Sequence, residues 1–297
     1  MRTFFSKRLI FTSLIFIVAV TLAVFFTVFK DDTEESVVET PIVHLFSNSV
    51  IGHSVNGRDI DAYTYTPSRD IEGAPKEHIL FVGGIHGGYE WNSVVLAYEF
   101  IDYLEANLSV IPLNITVTVI PSANPDGVYK VVGKEGRFTV ADVPDDVATA
   151  PGRFNANEVD LNRNFDCKWQ PESKWRDAVV SAGTSPFSES ESKVIRDFVL
   201  KNRPNSVIFW HSQSGSVYAS ECEEGILPET LDIMNVYANA SGYSPVSSFD
   251  AYPTTGDAEG WLASIGIPAL TVELTTHKSI ELGKNIKGVK ALFEYYK

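Results

Sequence analysis

Cysteine is scarce in this 297-residue chain, with only Cys167 and Cys222, so a disulfide-built mini-protein is excluded. There is no surplus of cationic charge either: 24 Lys and Arg stand against 38 Asp and Glu, a formal net charge of −14. Four of the bases (Arg2, Lys7, Arg8, Lys30) lie in the first thirty residues, which hold no acid, so the remainder is more acidic still. Such a body repels phosphate backbones, which argues against a nucleic-acid partner. No internal repeat and no Gly-rich phosphate loop occurs, so nucleotide binding has no support. With 44% hydrophobic and 21% charged residues the chain is neither disordered nor collagen-like. It is long enough for one large domain or two small ones.

What the N-terminus does have is a long uncharged run. Leu9–Phe29 spans 21 residues, about 31 Å as a helix at ~1.5 Å per residue, enough to cross a bilayer core. Its bulky end, Val24-Phe25-Phe26-Thr27-Val28-Phe29, lacks the small-x-small exit of a cleaved signal. The expectation is a membrane anchor at 1–30 with a transmembrane helix at 9–29, its basic flank in the cytoplasm and the rest of the chain extracytoplasmic. Secretion after signal cleavage is the alternative. Residues 31–44, with Asp31, Asp32, Glu34, Glu35, Glu39 and Pro41, read as an acidic stalk, and 45–297 as the folded domain. In an oxidising compartment the two cysteines form one disulfide; two buried thiols are the alternative.

Downstream, strand and helix patterns alternate. Arg58–Tyr65, His78–Val82, Ile115–Ile120, Val207–Trp210 and Ala269–Leu274 read as strands. Glu90–Leu108, a helix opened by a Ser188–Glu191 capping box and stopped by Pro204, Leu227–Ala240, Asp257–Ser264 and Glu281–Tyr296 read as helices. Residues 122–187, rich in Gly, Pro, Asn and Asp, read as long loops. The alternation predicts a three-layer α/β sandwich around a mixed, largely parallel β-sheet.

In open α/β sheets ligands bind beyond the carboxyl ends of the strands. Four strand ends here deliver polar groups: Gly84-Ile85-His86 with Glu90 close behind, Asn124-Pro125-Asp126, His211-Ser212, and Glu273. His86, Glu90 and His211 are the ligand types of a catalytic zinc that keeps a fourth position open for water. Glu273 would then be a base for that water. Each residue also has a structural reading, as a turn histidine, a first-turn acid or an ion-pair partner. Co-location is what favours chemistry.

At this point the chain resembles the metallocarboxypeptidase (M14) family of zinc carboxypeptidases. The matching stretches include Gly83-Gly84-Ile85-His86…Glu90, Pro121-Ser122-Ala123-Asn124-Pro125-Asp126-Gly127, Gly152-Arg153-Phe154-Asn155, Asp160-Leu161-Asn162-Arg163-Asn164, Trp210-His211-Ser212, Tyr252…Asp257 and Thr271-Val272-Glu273-Leu274. The resemblance implies one zinc per chain on His86, Glu90 and His211, with Asp160 orienting the first histidine. It implies Arg153 facing the oxyanion, with Arg137 as a competitor for that role. It implies Asn162, Arg163 and Tyr252 clamping a terminal carboxylate, since a guanidinium fork fits such a group, and Glu273 as general base. Glu259, seven residues after Tyr252, falls on the specificity position, where an acid would favour a basic terminal side chain. A solvent-facing helix carboxylate is the alternative.

One departure from the family pattern is the three residues between His86 and Glu90 where two are usual; a glycine-rich turn can absorb the extra one. The expected partner is a peptide or cell-wall peptide with a free terminal carboxylate. A zinc-dependent deacylase or amidase acting on acyl amino acids and a non-catalytic, membrane-displayed binding module are the competing functions. His277 reads first as a surface or core residue, with a place on the site rim, four residues after Glu273, as the alternative.

Overall fold

The computed structural model describes residues 41–72 and 76–297. The anchor expected at 1–30, and all but the last residues of the stalk expected at 31–44, lie outside the described residues. Among the described residues no helix is long and apolar enough to cross a membrane.

Chain order runs β1 (His44–His53), β2 (Asp59–Pro67), β3 (Glu77–Val82), α1 (Trp91–Ala106), β4 (Ile115–Ile120) and α2 (Pro125–Val132). Then come the hairpin β5 (Glu172–Trp175) and β6 (Ala178–Ser181), α3 (Ser190–Asn202), β7 (Ser206–Ser212), β8 (Ser216–Ala219) and the short pair β9 (Glu221–Cys222) and β10 (Gly225–Ile226). Last are α4 (Pro228–Ser241), β11 (Ser244–Val246), α5 (Ala258–Ser264), β12 (Ala269–Leu274) and α6 (Leu282–Tyr295). Eight strands form one sheet in the order β1-β2-β4-β3-β7-β12-β8-β11. The central run β4-β3-β7-β12 is parallel; β2 and β8 flank it antiparallel, β1 pairs antiparallel with β2, and β11 pairs parallel with β8. The sheet is therefore mixed, as expected.

Strand alternation builds two cores. Ile79 and Phe81 of β3, with Ile208 and Trp210 of β7, face a cluster completed by α1, α4 and α6. Leu80, Val82, Val207 and Phe209 face the other cluster, with Ile195 and Val199 of α3 and Leu262 of α5. Both faces of the central strands are buried, which is why they read as continuous apolar runs. Phe81 stacks on Trp210 at 5.2 Å between ring centroids and meets Phe100 edge-on at 5.1 Å.

Three expectations are corrected. The stalk ends sooner than His44: that residue opens β1, is buried, and its Nε2 lies 3.1 Å from Ile115 O. The 122–187 region is not all loop, because α2 starts there with Asn124 accepting from Gly127 N at 2.9 Å and Pro125 at its first position. The Ser188–Glu191 capping box does not form. Glu189 is the residue before α3, Ser188 Oγ donates to its carboxylate at 2.7 Å, and Glu191 instead accepts from Val55 N at 3.1 Å. The Glu191 carboxylate also accepts from the buried Asn155 amide at 3.2 Å, so it is held by residues remote in sequence rather than by the cap. Cys167 and Cys222, 55 residues apart, are joined in a disulfide. In the loop-entropy account this constrains the unfolded chain by about 4 kcal/mol.

Candidate metal centre

β3 ends at Val82 and the chain turns through Gly83-Gly84-Ile85 into His86, then a 3-10 turn, Gly87–Glu90, that leads into α1. Gly87 has φ +46, and a Cβ there would come within 2.6 Å of Gly152 O. Only glycine lets this turn carry the extra residue while lying against the loop that bears Arg153. His211 is delivered by β7, and Glu273 by its parallel neighbour β12. The two are register partners, so their side chains leave the same face of adjacent strands.

His86, Glu90 and His211 are buried, and one donor atom from each lies within 4.8 Å of the others. His211 Nδ1 is 3.2 Å from Glu90 Oε2. His86 Nδ1 and Glu273 Oε2 are buried with no hydrogen-bond partner, two unsatisfied atoms at one place. Two imidazoles and a carboxylate converging in this way fit zinc with an open fourth position.

Asp160 sits behind the cluster, fully buried. Its Oδ2 accepts from Arg153 Nε at 2.8 Å, and Oδ1 is 3.5 Å from His86 Nδ1. The Arg153 guanidinium is 4.7 Å from the Trp175 ring centroid. Asn162 Oδ1 accepts from Ala258 N at 2.8 Å, and Arg163 Nε donates to Lys174 O at 3.1 Å. Tyr252 lies on a facing loop, its ring 4.9 Å from that of Phe249. His86, Glu90, His211 and Glu273 line one cavity of about 520 Å³ together with Arg153, Asn162, Arg163, Tyr252 and Glu259, whereas Asp160 stays behind it. Arg137 is not part of this lining: it is exposed and bonded to Asp102 at 2.6 Å.

Glu259 needs correcting on one count. It is not a solvent-facing helix carboxylate but 3% exposed, and it hydrogen-bonds His211, Asn162 and Thr271. Tyr89 is a lining residue that escaped the sequence reading: it packs edge-on to Trp175 at 5.1 Å, and Arg176 Nη2 donates to its hydroxyl at 3.3 Å. Its place between His86 and Glu90 was the available signal. His277 does reach the rim, with Nδ1 2.7 Å from Ser212 Oγ and Nε2 3.2 Å from Tyr89 OH.

The electrostatics are those of a cation site. Burial alone would raise Glu90, but the His86 and His211 imidazoles draw it down to about 2. Burial would also raise Asp160, yet the Arg153 charge and His86 hold it well below the usual carboxylate range. Burial, reinforced by the Arg153 charge, lowers His86 to about 4. His211 goes the other way: burial opposes its charge, but Glu90 and Glu259 raise it well above its ordinary value.

Glu273 is pushed up by burial and then by the Glu90 carboxylate, to about 8 from the ordinary 4.5. A carboxyl raised on folding keeps its proton where the unfolded chain has lost it. Its contribution to stability is therefore whole below pH 4.5 and declines as pH rises through about 8. Metal-stripped Glu273→Gln protein should match the parent in acid and unfold at a higher temperature than the parent above pH 8. Calorimetry showing a constant difference between the two across that range would contradict the assignment.

The sequence profile of zinc carboxypeptidases matches residues 38–286. The chain belongs to the zinc carboxypeptidase family. Among curated relatives, the gamma-D-glutamyl-L-diamino acid endopeptidase 1 of Lysinibacillus sphaericus is 25% identical over 223 residues, 68% of this chain and 55% of the relative. The chain thus spans about half the length of that relative. Two solved structures share the zinc carboxypeptidase fold. The murein-tripeptide amidase of Escherichia coli O157 has TM-score 0.58 and 22% identity, with 84% of this chain and 91% of that one covered. Carboxypeptidase A of Helicoverpa armigera has TM-score 0.64 and 21% identity, with 85% and 68% covered. Zinc dependence is a property of the family, and the His-Glu-His cluster supplies the matching donor set.

Proposed function

We propose that the chain is a zinc metallocarboxypeptidase that hydrolyses the amide bond to a residue bearing a free terminal carboxylate. The observation that carries this is the pairing of Glu273 with His211 across β12 and β7, beside the His86–Glu90–His211 cluster and in one cavity with Asn162, Arg163 and Tyr252. Zinc, when bound, lowers the pKa of a water and polarises the scissile carbonyl. Glu273 takes the proton of the attacking water and returns it to the leaving amine. Arg153, anchored through Nε by Asp160, keeps its remaining donors for the oxygen on which charge develops. Asn162, Arg163 and Tyr252 hold the substrate's carboxylate, which confines cleavage to the last residue.

A cell-wall stem peptide is the substrate we favour. Of the similar proteins, the Escherichia coli amidase is named for a murein tripeptide and the Lysinibacillus endopeptidase for a gamma-D-glutamyl-L-diamino acid substrate. An extracytoplasmic address belongs to this proposal, with residues 9–29 as the anchor. The uncharged N-terminal run and the Cys167–Cys222 bond both suit an oxidising compartment reached through a membrane.

The test is mass spectrometry of a panel incubated with the full-length protein: Lys-, Phe- and Asp-terminated peptides, a murein tripeptide, C-terminally amidated controls and N-acyl amino acids. Loss of one residue from free-carboxylate peptides, with amidated controls intact and activity abolished by a zinc chelator, is the expected result. Cleavage of acyl amino acids alone would favour the deacylase, and no chelator-sensitive product at all would favour a binding module.

A further inference from the structure

Glu259 carries an arrangement that substrate recognition does not explain. It stands in the first turn of α5, 3% exposed. Its Oε1 lies 3.0 Å from His211 Nε2 and accepts from Thr271 Oγ1 at 3.0 Å, and its Oε2 accepts from Asn162 Nδ2 at 3.2 Å. Both oxygens are thus committed to protein donors. A substrate ammonium seeking this carboxylate would compete with buried His211 and Asn162 and with half-buried Thr271, and a buried donor it displaced would be left unsatisfied.

The two nitrogens of His211 point to different partners. Nδ1 is 3.2 Å from Glu90 Oε2 and so belongs to the ligand cluster, whereas Nε2 meets Glu259. A histidine that donates one N–H to a carboxylate has its tautomer and ring plane set, with the other nitrogen's lone pair free for a metal. Thr271 lies two residues before Glu273 on the same strand, and Asn162 lies in the proposed carboxylate clamp. Glu259 therefore ties the ligand histidine to β12 and to the clamp at once.

Resting on the zinc peptidase reading above, we propose that Glu259 is a positioning residue: it accepts the Nε2–H of His211, presents Nδ1 to the zinc, and does not select a basic terminal side chain. Glu259→Ala in the full-length protein should weaken zinc binding about 10- to 100-fold, read by chelator competition. Glu259→Gln, which keeps an acceptor, should recover part of that loss. Release of Lys- and Phe-terminated residues should slow in parallel, leaving their ratio unchanged.

A Glu259→Ala protein that binds zinc as tightly as the parent while only Lys release slows would overturn the proposal and make Glu259 a substrate contact. A second measurement needs no variant. The imidazole 1H–15N spectrum of the zinc-loaded parent should show His211 protonated at Nε2 with a low-field, hydrogen-bonded proton; a bare Nε2 would equally overturn the proposal. A parent that takes up no zinc would instead sink the functional reading itself, so the two failures are distinguishable.

Discussion

Glu273→Gln is expected to keep its zinc and lose turnover by about a hundred- to ten-thousandfold, the range spanned by general acid–base catalysis. The substitution is nearly isosteric and removes one property, the capacity to take up a proton as a carboxylate. Glu273 is held by a strand rather than a loop, and its neighbour in the sheet is a proposed metal ligand, so the variant should disturb little else. One of its oxygens is buried without a protein partner, as befits a group whose partner is a reacting water. Its pKa in the metal-free chain is high because burial and the Glu90 carboxylate both oppose ionisation. A bound dication opposes that effect, so the carboxylate becomes available as a base in the holoenzyme. Single-turnover kinetics alongside metal analysis check both halves. Loss of zinc together with activity would mean that Glu273 is a ligand rather than a base.

Glu90→Ala should do the reverse and empty the site. Loss of a carboxylate that only orients a ligand costs about 10- to 100-fold in affinity, so loss of a direct ligand should exceed that, on the order of a thousandfold or more. The geometry sharpens the expectation. Glu90 Oε2 is 3.2 Å from His211 Nδ1 and also accepts from Ser212 N at 3.2 Å. Its removal takes away both a donor atom and the nearest negative charge that draws a cation in. Zinc content by mass spectrometry, with the thermal midpoint measured with and without added zinc, decides the matter. A variant that still gains stability from zinc as the parent does would leave a two-histidine site and remove Glu90 from the ligand set.

Much of this was legible in the chain because the informative signals were local. Ile115–Ile120 and Ala269–Leu274 are strands with the bounds their apolar runs suggest. The polar residues just beyond four strand ends gather where an α/β sheet puts them. β1 was not legible, since its residues are mostly exposed on an edge strand and show no clean alternation. α2 was hidden by Asn124-Pro125-Asp126-Gly127, which resembles a turn yet is a capped helix start with proline in its first turn. The setting of Glu259 was out of reach for a different reason. Its partners His211, Asn162 and Thr271 lie 48, 97 and 12 residues away, and no local pattern encodes such a meeting. Counting from Tyr252 located the residue but could not reveal that its oxygens were already engaged.

The glycine contact beneath His86 bears on how freely the reaction centre can flex. Gly87 lies against the Gly152 carbonyl, and Gly88 against that of Gly127, with room at neither place for a methyl. The turn supporting one ligand and the segment supporting Arg153 are thereby pressed backbone to backbone, without a compressible side chain between them. A single added carbon in that seam would act as a shim, prising His86 and Arg153 apart.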